Sequence, residues 1–153
     1  MRQSIYRIHF GKMMIILSKI HSSEIQQHSL EAFPFECCGA VIGDVSDDRK
    51  HVKELIRLDN QSTENQRRRF MVTDADYQYV ETVAKEKKLT LLGFYHSHPN
   101  HPAQPSETDL KYAWPFFSYL IQSVYDTTIK DLHSFVLDLD TQQFKEEDVK
   151  VSD

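Results

Sequence analysis

Three observations predict a single α/β domain. Helical and extended patterns alternate along the chain. The run from Leu89 to Tyr95 is a nearly continuous stretch of leucine, aromatic and β-branched residues, which marks a central strand buried on both faces. A chain of 153 residues is also long enough for one core without disulfide staples, since about two-thirds of its extended surface can be buried at this size.

The elements follow in order. Met13 to Leu17 is a short apolar strand. Ser22 and Ser23 then open a helix whose apolar face holds Ile25, Leu30 and Phe33, and Pro34 stops it. Cys37 to Gly43 reads as a short buried strand with Glu36 at its entrance and glycines that allow close backbone approach. Asp44 to Lys50 is a polar turn into a partner strand, His51 to Leu58, and Asp59 to Arg69 is a polar loop. Phe70 to Val72 is a brief strand. Thr73 is an N-cap, with Asp74 and Asp76 as early acids, for a helix to about Lys88 whose face is Tyr77, Val80 and Ala84. After the central strand comes a Pro-punctuated loop, Asn100 to Pro105. Ser106 and Asp109 then start a helix that continues to Trp114. Phe116 to Val124, Leu132 to Leu139 and a segment near Phe144 are the last strands, joined as hairpins. The domain is expected over residues 14–150, with residues 1–13 an N-terminal extension.

Composition excludes several function classes. A formal net charge of −5 and the lack of a basic stripe argue against nucleic-acid binding. The one dense basic cluster, Arg67-Arg68-Arg69, is either a solvated loop end or a docking patch for an acidic partner. No apolar run approaches the roughly 18 residues of a membrane helix, so no membrane partner is expected. Cys37 and Cys38 are adjacent, which suits neither a redox CxxC pair nor a disulfide framework, and the expected compartment is the cytoplasm.

Chemistry concentrates at His96-Ser97-His98-Pro99, followed after six residues by Ser106-Glu107-Thr108-Asp109. Side chains two apart on a strand share a face and lie about 6.6 Å apart, so His96 and His98 can grip one ion while Ser97 faces away. Pro99 is expected to end ladder pairing, and the loop then returns Asp109 to the same spot. Two imidazoles and one carboxylate, with a fourth position left to water, describe a catalytic zinc rather than a structural one. Such a site also needs a base that takes a proton and passes it to a leaving amine, and Glu36 is the candidate. Ser106 is read either as a plain N-cap or as a donor to a developing oxyanion, roles that one hydroxyl is not expected to fill fully together.

With Glu36-Cys37-Cys38-Gly39 upstream of this HxHPx6SxxD pattern, the sequence resembles the JAMM metalloprotease family, also called the MPN+ domain. The resemblance extends from about Met14 to Leu139, including Pro34 to Gly39, Arg67 to Phe70, Gly93 to Pro105 and Trp114 to Ile121. It implies a curved mixed sheet flanked by helices, related to cytidine deaminases. It also implies that His96, His98 and Asp109 bind one zinc ion per chain, that Glu36 is the general acid/base, and that Ser106 stabilises the tetrahedral intermediate. The similarity is to short prokaryotic members that act near the C-terminal Gly-Gly tail of ubiquitin-like sulfur-carrier proteins. The long insertions near Val72 and after Asp109 that serve ubiquitin binding in eukaryotic relatives have no counterpart here.

The expected function is thus a zinc metallopeptidase that hydrolyses an amide at such a tail, admitted through a narrow cleft beside the metal. Alternatives are a non-catalytic scaffold of the same fold and a two-His, one-carboxylate iron enzyme. A cysteine nucleophile at Cys37 or Cys38 is a further formal option, although strand burial favours core roles for both. Trp114, Phe116, Phe117 and Tyr119 are read as packing rather than as a binding wall, and His101 as a solvated loop residue.

Overall fold

The computed structural model describes residues 13–59 and 72–153. The expected strand over Phe70 to Val72 and the cluster Arg67-Arg68-Arg69 fall largely or wholly outside them; Val72 itself is not in a strand. Among the described residues the chain forms β1 (Met14–Ser18), α1 (Lys19–Ala32), β2 (Cys38–Ser46), β3 (Arg49–Leu58), α2 (Asp74–Glu86), β4 (Thr90–Pro99), α3 (Glu107–Lys111), β5 (Ser118–Tyr125), β6 (Thr128–Asp138) and β7 (Gln143–Ser152). The strands form one mixed sheet in the order β1-β3-β2-β4-β5-β6-β7. It closes because β1 runs parallel to β3 on one side and to β7 on the other. The alternation of helical and extended patterns therefore reads through to an α/β fold, and the curvature goes as far as closure.

Helix α1 begins one turn earlier than Ser22-Ser23 suggested. Ser18 is its N-cap, accepting a hydrogen bond from the His21 amide at 3.1 Å. The buried face is Ser22, Ile25 and Ser29 rather than Ile25, Leu30 and Phe33. Small serines let the helix lie close to the sheet, and the Ser29 hydroxyl donates to the Ile25 carbonyl at 2.8 Å, so its burial leaves no unmet donor. The β2–β3 turn is also tighter than the polar run from Asp44 to Lys50 implied. Only Asp47 and Asp48 lie between the strands, and Asp47 has φ 55°, a left-handed conformation that aspartate tolerates. Helix α2 matches its expected signals, with Thr73 and Asp76 forming a capping box and Val80 and Ala84 buried.

Strand β4 is the centre of the sheet, paired antiparallel to β2 and parallel to β5, and Leu91 to Pro99 are all buried. Pairing does not stop before Pro99. Beyond the end of β2 only β5 flanks β4, and there Pro99 stands opposite Val124, whose carbonyl accepts from the Asn100 amide at 2.7 Å. Leu92 and Tyr95 pack with Ile15, Leu17, Val52 and Leu120 in one core, and Leu91 and Phe94 pack with Val80, Ala84 and Tyr119 in another.

Gly39 faces the Tyr95 ring so closely that a Cβ at position 39 would lie 2.2 Å from it. That ring reaches α1, where the Tyr95 hydroxyl meets His28 Nδ1 at 2.7 Å. Burial, aided by the Arg57 charge and opposed by Glu31, pushes the half-buried His28 imidazole down to about 4 from 6.5. The unfolded chain therefore binds a proton at this residue between those two values while the folded chain does not. Stability is expected to fall as pH drops through that window, by about 1–2 kcal/mol after discounting for partial exposure. Urea unfolding at the two ends of the window, for the wild type and His28→Gln, checks this: the variant should lose less stability on acidification.

Candidate metal centre

Strand periodicity and one capping box bring three ligands together. His96 and His98 project from the same face of β4, and their Nε2 atoms approach to 3.1 Å. Asp109, in the first turn of α3, places Oδ1 3.3 Å from His96 Nε2 and Oδ2 3.3 Å from His98 Nε2. Two nitrogens and an oxygen each bonded to zinc at 2.0–2.1 Å would lie about 3.3 Å apart on the edges of a tetrahedron. The N–N spacing and the two N–O spacings, one to each carboxylate oxygen, are of that size, so the three side chains are close enough to share one ion. His96, His98 and Asp109 form a group able to hold a metal.

His98 and Asp109 are each oriented by a contact outside the group. The Pro102 carbonyl, 3.0 Å from His98 Nδ1, can only accept, so Nδ1 carries the proton and Nε2 keeps its lone pair for a metal. The His96 imidazole is pushed down by burial, against the pull of Asp109, and stays in the neutral form that ligates. Burial pushes the Asp109 carboxyl up, but the two imidazoles and the Ser106 N–H outweigh it and hold the group well below the usual carboxylate range.

Ser106 and Asp109 form a reciprocal capping box: the Ser106 hydroxyl oxygen accepts from the Asp109 amide at 3.0 Å, and Asp109 Oδ2 accepts from the Ser106 amide at 2.8 Å. The box that starts the helix is thus also what aims the carboxylate. Capping uses a lone pair of the hydroxyl and leaves its proton to donate elsewhere, so the two readings of Ser106 are compatible rather than exclusive. Helix α3 is shorter than the expected run to Trp114, because the Trp114 amide donates to the Tyr119 hydroxyl at 2.8 Å instead of continuing the helix.

Glu36 lies in the segment that leads into β2. Cys38 stands opposite His96, and the pairing continues one step further, with the Ser97 amide donating to the Cys37 carbonyl at 3.1 Å and the Cys37 amide to the Ser97 hydroxyl at 2.9 Å. The Glu36 side chain, just ahead of this pairing, is buried. Cys37 falls on the other face and Cys38 on the ligand face, in separate cores. Burial pushes both thiols up, the reverse of what a nucleophilic cysteine requires. His101 is exposed, as expected.

A cavity of about 530 Å³ opens beside His96 and Asp109. Phe94, Tyr77, Tyr112, Trp114 and Tyr119 line it, with Lys111 among its polar residues. It is roomier and more aromatic than the narrow cleft expected. Trp114 and Tyr119 are therefore wall residues, whereas Phe117 packs against Phe94 and Tyr77. Tyr77 and Tyr112 were not legible as wall residues, since Tyr77 reads as a helix-face residue and Tyr112 as part of a longer helix.

The profile of a family described as prokaryotic homologs of the JAB domain matches residues 18–138. The chain belongs to that family. Among curated JAB/MPN relatives, subunit 5 of the COP9 signalosome complex of Kluyveromyces lactis is 30% identical over 105 residues, which is 67% of this chain and 27% of that protein. The chain thus spans about a quarter of the length of that relative.

Two solution structures are similar along nearly the whole chain. A protein of Desulfitobacterium hafniense has a TM-score of 0.80 at 28% identity, covering 92% of this chain and 94% of its own. One from Salinibacter ruber has a TM-score of 0.69 at 37% identity, covering 90% and 91%. A crystal structure of a JAB1/MPN domain protein from Archaeoglobus fulgidus shares the fold, with a TM-score of 0.56 at 20% identity over 94% of this chain and 100% of that one.

The capping box makes a measurable demand on this JAB/MPN centre. Ser106→Ala is expected to weaken metal affinity about tenfold, as loss of a partner outside the ligand set typically does. Competition with a chromophoric zinc chelator measures this. Unchanged affinity would mean that the Ser106 hydroxyl, as distinct from its backbone amide, plays no part in aiming Asp109.

Proposed function

We propose that this JAB/MPN chain is a zinc-dependent peptidase that hydrolyses the peptide or isopeptide bond at the C-terminal Gly-Gly tail of a ubiquitin-like sulfur-carrier protein. The observation that carries the reading is the convergence of His96, His98 and Asp109, whose side-chain donor atoms approach to 3.1 and 3.3 Å, and the buried Glu36 just ahead of β2 supports it. A scaffold that only binds a partner has no use for a base beside an open ligand set.

The roles follow from position. His96, His98 and Asp109 would hold one zinc ion. When bound, it would lower the pKa of a water in its fourth position and polarise the scissile carbonyl. Glu36 takes the proton and returns it to the leaving amine. Ser106, whose hydroxyl proton is not used in capping, donates to the oxygen on which negative charge develops. The aromatic cavity on the His96 and Asp109 side receives the tail, with room for apolar side chains upstream of the two glycines. No described helix is long and apolar enough to cross a membrane, and both cysteines are free and buried, which supports a cytoplasmic site of action.

Mass spectrometry of a carrier extended beyond its Gly-Gly tail, with and without the enzyme, tests the reaction. Glu36→Gln is expected to lower turnover by about 10³-fold while zinc content per chain stays unchanged. Chelation should abolish activity, and added zinc should restore it. Full activity in the glutamine variant would rule out this mechanism.

A further inference from the structure

The sheet interior holds a charged cluster that the proposed reaction does not use. Lys50 on β3 and Glu147 on β7 are both 2% exposed at the side chain, with Nζ and Oε2 3.4 Å apart. Ser118 on β5 and Ser134 on β6 each donate to Glu147 Oε1 at 2.7 Å. Lys50 Nζ donates to the Ser118 hydroxyl at 2.7 Å and to the Phe116 carbonyl at 3.2 Å. Burial pushes the lysine down, against the pull of Glu147.

Such a pair adds little net stability, because the attraction in the interior roughly offsets the cost of desolvating both charges, and an apolar pair of similar volume serves as well. What an apolar pair cannot do is donate to a carbonyl. The carbonyl in question belongs to Phe116, whose φ of 75° is a left-handed conformation that a bulky residue rarely adopts and that needs a partner to hold it. Two residues on, Ser118 is wedged against Gly93, where a Cβ would lie 1.9 Å from the Ser118 carbonyl oxygen. Tyr119 follows and fixes the Trp114 amide through its hydroxyl.

We infer that Lys50 and Glu147 are positioning residues: from inside the sheet they lock the 112–117 strap, and with it the Trp114 wall of the cavity beside the metal centre. Lys50 holds the Phe116 carbonyl, Glu147 and Ser118 hold Lys50, and the start of β5 hands the constraint to Trp114 through Tyr119. The effect on substrate rests on the reading that this cavity receives the tail; the effect on the strap does not.

Trp114 is the only tryptophan in the chain, so its fluorescence reports the strap directly. The test compares acrylamide quenching, zinc content and steady-state kinetics of the wild type with the double variant Lys50→Met, Glu147→Gln. That variant removes the donor to Phe116 but keeps an oxygen for the two serine hydroxyls. The quenching constant is expected to rise about twofold as the strap opens locally, with zinc content unchanged. KM should rise about tenfold with little change in kcat.

Val52→Ala hollows the same core without touching Phe116, and it should leave quenching as it is. Wild-type quenching in the folded double variant, or an equal rise in Val52→Ala, would overturn the proposal. Should the double variant not fold, Ser118→Ala, which removes the shortest contact to Lys50, decides by the same quenching measurement. A rise in quenching in a protein that cleaves no carrier would support the positioning role and count against the proposed reaction instead.

Discussion

The register between β2 and β4 is the constraint on which the rest of the site depends. Cys38 stands opposite His96, and a slip of one residue would turn every side chain of β2 to the other face. Two hydrogen bonds between Cys37 and Ser97 pin the end of that pairing, one of them through a buried hydroxyl. Gly39 contributes from the opposite direction, because only an absent side chain leaves room for the Tyr95 ring that crosses it. Ser97 and Gly39, neither of which points at the metal centre, are therefore what set its geometry.

Local and long-range interactions divide the work differently at Asp109. Its aim is a local matter, a capping box closed within four residues, so the same contacts that start α3 also present the carboxylate. Its electrostatics come from farther away. The imidazoles of β4 and the amide of Ser106 hold it ionised despite burial, and burial itself keeps His96 neutral.

Much of this was legible in the sequence because it is written in short-range patterns. The alternation of His96, Ser97 and His98, the spacing to Ser106 and Asp109, the caps at Thr73 and Ser106 and the apolar run of β4 all concern neighbours within a few positions, where strand and helix periodicity suffice. Elements whose ends depend on distant partners were harder to place. Helix α3 stops early because Trp114 donates to Tyr119, and α1 buries serines because the sheet lies close to it. Pro99 stays in the ladder because only β5 flanks it there. The Lys50 and Glu147 pair had no sequence signal: Lys50 ends the polar run read as a turn, and only closure of the sheet brings it together with Glu147 in the interior.

The sequence by itself determined the ligand types, their spacing and the family they resemble, since a strand repeat and a helix cap leave few ways to arrange two histidines and an aspartate. Only the tertiary structure decided that an aromatic cavity adjoins His96 and Asp109 and that a buried ion pair holds the cavity's strap. Each of these depends on strands far apart in the chain being paired in one register, and no local pattern of residues encodes such a pairing.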